Sequence, residues 1–292
     1  MRRRAYALMF LAMLSWGFGN PLSDLAMESV TVGQMLFLEL GTGFVILTAI
    51  GLSTKQLQLS RQHFGWAAAL GILQPGITYI CGNLGYATGT VTTGLLIMQS
   101  EVIFLAIFGW LFARERISWS DAAGIALGCT GAVVVGWSAN ASGVGDLRST
   151  LAFVLAALST AGYGVIARRF AVDFPEEKFF GVVWMQTLVS LLLATVLWPL
   201  TNTWAAHDLQ PSPIGVVAGM AAGIFGVTIP FILYTYASKI VPAKHAAISL
   251  NIIPIAGISI GALMGRGLPT SLQYLGGALV LASLFALARH EH

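Results

Sequence analysis

Two carboxylates set deep inside apolar runs are the chain's clearest chemical feature. Ten of its 12 acidic residues fall in polar stretches or at the ends of apolar ones; Glu39 and Glu101 do not. A carboxylate at the centre of a lipid-embedded helix costs roughly 2.5–3.5 kcal/mol on insertion scales, so each needs a wet or paired environment. At a helical rise of ~1.5 Å per residue, Glu101 stands roughly 15 Å and Glu39 about 10 Å from the end of its run. All 15 Lys and Arg lie at or beyond run ends, so no basic side chain shares that depth. Such a carboxylate must take a proton, a cation or hydrogen-bond donors. Glu39 and Glu101 are therefore read as proton-coupling residues that can also bind an amine or cation.

Amides and aromatics at the same depth supply a candidate pocket. Tyr79, Asn83 and Tyr86 recur at i, i+4 and i+7 and share one helical face, as do Trp16 and Asn20. Pro21 follows Asn20 and removes a backbone donor, freeing carbonyls where a cavity can use them. An amide in lipid needs a partner, which adds Gln99, Gln186 and Asn251 to the set. The expected substrate-binding residues are Trp16, Asn20, Tyr79, Asn83, Gln99, Tyr163, Trp184, Gln186 and Asn251. Tyr and Trp with a few amides suit an amphipathic ligand. Tyr86 and Trp198, nearer run ends, read as interfacial anchors. Lys239, Lys244 and His245 read as solvated charges. No HExxH, GxSxG or phosphate-binding loop occurs, and the five histidines are scattered. Cys81 and Cys129 lack metal or disulfide spacing and read as packing residues. Neither catalysis nor a metal or cofactor is expected.

The elements that must position these residues are membrane helices. Apolar residues make up 57% of the 292 and charged residues only 9%, against about 25% charged in a soluble domain. The mean hydropathy is +0.80. A helical span takes about 20 mostly apolar residues, and ten runs qualify: 5–26, 32–52, 64–86, 90–113, 121–138, 149–170, 178–200, 213–237, 243–264 and 270–288. The basic start Met1-Arg2-Arg3-Arg4 resembles a signal peptide, but no small-x-small cleavage site follows and the first run has a later counterpart. With the N-terminus in the cytoplasm, the cytoplasmic side holds Arg2, Arg3, Arg4, Lys55, Arg61, Arg114, Arg116, Arg168, Arg169, Lys178, Lys239, Lys244 and Arg289, and the outer side only Arg148 and Arg266. That asymmetry fits ten spans with both termini cytoplasmic. It also explains the pI near 9.0 without nucleic acid.

The two halves of the chain align. Gly17-Phe18-Gly19 matches Gly162-Tyr163-Gly164, and Tyr86-Ala87 matches Tyr236-Ala237. Gln99 falls on Asn251, Gly109 on Gly261, Gly124 on Gly276 and Glu39 on Gln186. Five spans is an odd number, so the second copy must be inverted. Charges follow that inversion: Ser23-Asp24 at the outer end of the first run matches Arg168-Arg169 at the inner end of the sixth. The expected fold is an all-α membrane protein of ten helices, with repeats over 1–138 and 149–292. Inverted repeats mark secondary transporters that bind substrate near the midplane at the repeat interface. Gly124, Gly128, Gly131, Gly276 and Gly277 read as close-packing surfaces, either of a peripheral scaffold or of a homodimer.

The stretch Glu101-Val102-Ile103-Phe104 through Gly109-Trp110-Leu111-Phe112-Ala113-Arg114-Glu115-Arg116 resembles the "EPV…GW…GER" segment of EamA-type carriers in the drug/metabolite transporter superfamily. Ser15-Trp16-Gly17 and Arg168-Arg169 are similar to that family too. Val102 replaces the motif proline, although Pro254 stands at the matching place of the second half. Gly265-Arg266-Gly267 lacks the second half's Gly-Glu, and Glu39 stands where many members carry Arg. The resemblance implies export or exchange of small metabolites, commonly amino acids or amphipathic compounds. The expectation is a secondary carrier in a bacterial-type inner membrane, with the lipid bilayer, a small amine-bearing substrate and protons as its partners. Efflux of lipophilic or cationic drugs is the alternative.

Overall fold

The computed structural model describes residues 2–113, 119–141, 143, 145–174, 179–203, 209–238, 240–241 and 249–288. Among these residues every regular element is helical: α1 (Arg2–Ala26), α2 (Val32–Thr54), α3 (Arg61–Tyr86), α4 (Val91–Met98), α5 (Glu101–Ala113), α6 (Trp119–Ala141), α7 (Leu147–Asp173), α8 (Phe179–Val196), α9 (Trp198–Thr203), α10 (Pro213–Ser238), α11 (Ile252–Leu263) and α12 (Ser271–Ala288). By length and composition α2, α3, α10 and residues 147–167 of α7 can each cross a membrane.

Starts and stops follow local chemistry. Thr31 with Gln34 and Asp146 with Ser149 form capping boxes at the heads of α2 and α7, each satisfying two orphan backbone donors. Thr270 and Gln273 exchange the same bonds ahead of α12. Ser212 caps α10, with Pro213 in its first turn where no backbone donor is missed.

Helices of one half pack chiefly on helices of the other. α1 lies against α10 and α11, α2 against α8 and α10, α3 against α7 and α8, and α6 against α12. In the last pair Gly131 meets the Gly276 carbonyl and Val280, while Gly276 meets the Gly131 carbonyl and Val135. These glycines thus pack against each other within one chain.

Four of the expected runs are interrupted, the one over 178–200 at Leu197 between α8 and α9. α3 breaks at Gln74, whose φ of −144° and ψ of 126° leave the helical region just before Pro75. α10 carries a wide π-type turn over Gly223–Thr228. The run expected over 90–113 is two helices, α4 and α5, parted at Gln99 and Ser100. Backbone groups released by a break in a membrane helix must find partners. Thr78 donates to the Leu73 carbonyl at 3.0 Å, and Thr228 donates to the Gly223 carbonyl at 3.1 Å. The other half also contributes. Ser159 of α7 donates to Leu73 O at 2.9 Å, and Ser15 of α1 donates to Phe225 O at 2.7 Å. The segment 243–251 before α11 was expected to continue it; 242–248 lies outside the described residues.

Candidate functional site

α1, α2, α3 and α10 meet at the Glu39 side chain, which is 4% exposed. Its carboxylate accepts from Ser23 Oγ at 3.2 Å and from Asn83 Nδ2 at 3.0 Å. No basic side chain pairs with it among the described residues. On α10, Gly223 and Gly226 make the close approach possible. A Cβ on Gly223 would sit 2.4 Å from the Glu39 backbone carbonyl, and one on Gly226 3.3 Å from Glu39 Oε1. Gly19 of α1 meets the Gly226 backbone equally closely, at 2.8 Å from an added Cβ. The Tyr79 hydroxyl donates to Gly226 O at 2.5 Å and accepts from the Trp16 indole N–H. Tyr86 donates to Asn20 Oδ1 at 2.8 Å, and Asn20 Nδ2 returns to the Trp16 carbonyl at 2.8 Å.

Trp16 links this junction to a second one. Its ring contacts Phe231 edge-on at 5.3 Å and Tyr234 at 5.5 Å between centroids. The Tyr234 hydroxyl interacts electrostatically with the Glu101 carboxylate and with the Tyr163 hydroxyl. Gln186 hydrogen-bonds Tyr163. Glu101 itself is half-buried at the head of α5 and has no hydrogen-bond partner among the described residues. A line of polar and aromatic groups therefore runs from Glu39 through Tyr79, Trp16 and Tyr234 to Glu101.

Most of the expected residues fall on this line: Trp16, Asn20, Tyr79, Asn83, Tyr163 and Gln186 join the two acids. Gln99 ends α4 beside the Ser100 break, 4% exposed, and Asn251 is the N-cap residue of α11. Trp184 is separate. Its N–H donates to Thr48 Oγ1 at 2.9 Å and its ring packs on Phe44, so it bridges α2 and α8. Tyr86 is not the interfacial anchor its position near a run end suggests. It is buried, because its hydroxyl reaches inward to Asn20. Trp198 meets Phe37 edge-on at 5.0 Å, in a groove of about 670 Å³ whose lining holds no ionisable group. Ser23 and Tyr234 escaped the sequence reading. Ser23 was visible only as a run-end residue, and the signal for Tyr234 was its i, i+3 spacing from Phe231 on one face of α10.

A third polar cluster ties the two halves at one end of the bundle. Arg266 Nε meets Asp24 Oδ2 at 2.5 Å, one terminal nitrogen meets Glu28, and the other donates to the Asp24 carbonyl at 3.0 Å. Gly265 and Gly267 flank Arg266 at φ +75° and +85°, the left-handed conformation that lets so short a turn present it. Desolvation works to lower the Arg266 pKa, but Asp24 and Glu28 outweigh it and hold the guanidinium above its ordinary value. Arg266→Ala strands the Asp24 carboxylate, whose side chain is only 7% exposed. A loss of about 2 kcal/mol is expected, since charged hydrogen bonds are worth roughly 1.5–3 kcal/mol and the Glu28 arm is solvated. Thermal unfolding in detergent should show it, and exchanging the charges (Asp24→Arg with Arg266→Asp) should restore part of the loss. An unchanged midpoint in Arg266→Ala would mean that the tie contributes nothing.

A profile of the EamA-like transporter family matches residues 3–137 and again residues 147–289. An uncharacterised transporter of Bacillus subtilis is 22% identical, over 97% of this chain and 92% of its own. A probable biotin transporter of Pseudomonas aeruginosa is 25% identical over 97% and 98%, and a probable terminal-alkyne amino-acid exporter of Streptantibioticus cattleyicolor 23% identical over 82% and 84%. One protein of known crystal structure superposes over 99% of both chains with a TM-score of 0.67 at 20% identity, a likeness of fold. With a family match across nearly its whole length and apolar helices throughout, the chain belongs to the EamA-like transporter family and is a multi-pass membrane transporter.

Proposed function

We propose that the protein is a secondary active transporter that exports or exchanges small amine-bearing metabolites, such as amino acids, across a bacterial-type inner membrane, with protons as the coupling ion. The observation that carries this reading is Glu39. It is a buried carboxylate without a basic counter-charge among the described residues, at the point where α1–α3 meet the broken helix of the other half. A carboxylate in that position gains and loses a proton or cation as its surroundings change. Both termini are cytoplasmic in this reading, which makes the Asp24–Arg266 end the outer one.

Alternating access of two inverted halves, residues 1–138 and 149–292, is the proposed mechanism. Paired features support the inversion. Thr78 and Thr228 make the same bond to a carbonyl five residues back. Gly71 packs on the backbone of Gln186 as Gly223 packs on that of Glu39, and those two partners are the residues the repeat alignment equates. The amine preference rests on two acids and no base at depth. One relative's name, an amino-acid exporter, agrees with it.

Flux in reconstituted liposomes tests the reading. A panel of amino acids and amines is loaded inside, and an inward or outward proton gradient is imposed. Accelerated movement of at least one amine-bearing compound under one gradient only is expected. Failure of every member to move, in protein that is folded, sinks the proposal. A second reading, efflux of lipophilic or cationic drugs, is favoured by the Trp16–Phe231–Tyr234 aromatic wall, and the same assay with lipophilic cations separates it.

A further inference from the structure

The region around Glu101 holds hydrogen-bonding capacity that the protein itself does not use. The chain parts between α4 and α5 there, bringing Gln99, Ser100 and Glu101 together at one break. Gln99 and Ser100 are each 4% exposed, and Gln186 is 2% exposed. Yet Gln99 Oε1, Ser100 Oγ and Gln186 Oε1 have no hydrogen-bond partner. Buried polar atoms are nearly always paired, so these three orphans, two of them directly preceding Glu101 in the chain, need an explanation. Hydrogen bonds to a substrate are the direct one. Gln186 is tied to Glu101 through two tyrosines: its amide is hydrogen-bonded to Tyr163, and the Tyr234 hydroxyl interacts electrostatically with both Tyr163 and the Glu101 carboxylate.

The chemistry of the unused atoms selects the ligand. The Glu101 carboxylate and the two amide oxygens are acceptors, and a primary ammonium brings three donors and no acceptor. Tyr234, which interacts electrostatically with Glu101 and whose ring packs against Trp16, adds an aromatic system of the kind that attracts a cation. What the region lacks matters as much. None of the chain's 15 Lys and Arg falls inside the middle of an apolar run, so no cationic side chain stands ready to receive a carboxylate. The carboxylate of an α-amino acid, one carbon from its ammonium, would be carried into the same region and face Glu101 across a short distance. Like charges there repel more strongly than in water, because the medium screens less.

We propose that Glu101, Gln186, Tyr163 and Tyr234 form a binding site for the ammonium group of a primary amine with an apolar or aromatic body, and that it prefers such an amine to the α-amino acid differing only by a carboxylate. This rests on the carrier reading above and narrows its substrate class. Tyr234, absent from the expected set, becomes a specificity-determining residue, and Glu39, with both oxygens already accepting hydrogen bonds, is left for coupling rather than for substrate.

Matched pairs test it on the full-length protein: phenylethylamine against phenylalanine, cadaverine against lysine, with 3-phenylpropanoate as the acid lacking the amine. Binding is read by isothermal titration at one pH. The amine of each pair is expected to bind at least tenfold tighter than its amino acid, and 3-phenylpropanoate not at all. Glu101→Gln should abolish amine binding. Tyr234→Phe, a variant that keeps the ring and the fold, should weaken it severalfold, with wild-type thermal stability as the check on folding. Equal or tighter binding of the amino acids overturns the proposal while leaving a carrier of amino acids standing. No binding of either amine, or amine binding untouched by Glu101→Gln, overturns it as well. The liposome assay is independent of these readouts, so a protein that carries nothing is distinguished from one whose site is wrongly assigned.

Discussion

Glu39→Gln should keep the protein folded and reduce proton-driven flux at least tenfold, whereas Glu39→Ala should lose both flux and stability. The difference follows from the partners. Ser23 Oγ and Asn83 Nδ2 both donate to the carboxylate, and both residues are 3% exposed. Glutamine retains one oxygen for Asn83 and presents an amide that Ser23 can accept from, so the junction of four helices stays satisfied. It cannot, however, exchange a proton. Alanine leaves the buried Asn83 amide without this acceptor and Ser23 with the Gly19 carbonyl alone, at 3.3 Å, at about 1–2 kcal/mol when the modest measured worth of hydrogen bonds between membrane helices is weighed against the larger penalty of an unmade buried one. Flux under an imposed pH gradient and thermal unfolding of the same preparations read the two effects separately. Undiminished gradient-driven flux in Glu39→Gln would remove Glu39 from the coupling path.

The second large effect is expected from a single methyl group. Gly223→Ala places a carbon 2.4 Å from the Glu39 carbonyl oxygen and 2.9 Å from Thr42 Cβ. The first of these is backbone and cannot swing aside, so α10 and α2 must separate. Gly71→Ala repeats the insult between α3 and α8, at 2.6 Å from the Gln186 carbonyl. Overpacking of this kind costs typically 1–3 kcal/mol, and here it also displaces the segment that holds Glu39 in register. A lowered unfolding midpoint and severalfold slower flux are expected for both. Gly41→Ala and Gly82→Ala, where nothing lies within 4 Å of an added Cβ, are the controls and should change neither. If Gly223→Ala matched those controls, the tight backbone contact would not constrain the helices.

How far these features were legible in the sequence depended on the range of the signal. The apolar runs gave helices at nearly the expected limits, because a run's length and its bounding charges and caps are local: 213–237 was expected and Pro213–Ser238 forms. The depth of Glu39 was equally plain from counting residues. Its partners were not. Asn83 was chosen for being an amide in lipid, but nothing in its spacing linked it to Glu39, 44 residues away. The break at Gln74–Pro75 was missed because proline is common in membrane helices, and the parting of α4 from α5 was hidden because Gln99 and Ser100 sit inside an otherwise uniform apolar stretch. Asp24 and Arg266 were each assigned to the outer side, yet their pairing spans 242 residues and depends on a turn that only the folded backbone defines. The partner of Trp184 was hidden for a related reason. The tryptophan's type and depth suited a pocket, while its N–H was claimed by Thr48 on a neighbouring helix.

The hydroxyl bonds at the broken helices bear on how the chain matures. Leu73 O accepts a hydrogen bond from Ser159, and Phe225 O one from Ser15, so neither broken helix is fully satisfied by its own half. During synthesis the N-terminal helices α1–α6 enter the bilayer before α7 exists, and α1 waits for α10 and α11, its main packing partners. Until then the early helices hold exposed carbonyls and small-residue faces open to lipid. Ribosome-stalled chains ending near residue 145 should accordingly be far more sensitive to membrane proteases than the finished protein. Quality control of this transporter would then be set by the arrival of its second half rather than by the insertion of its first.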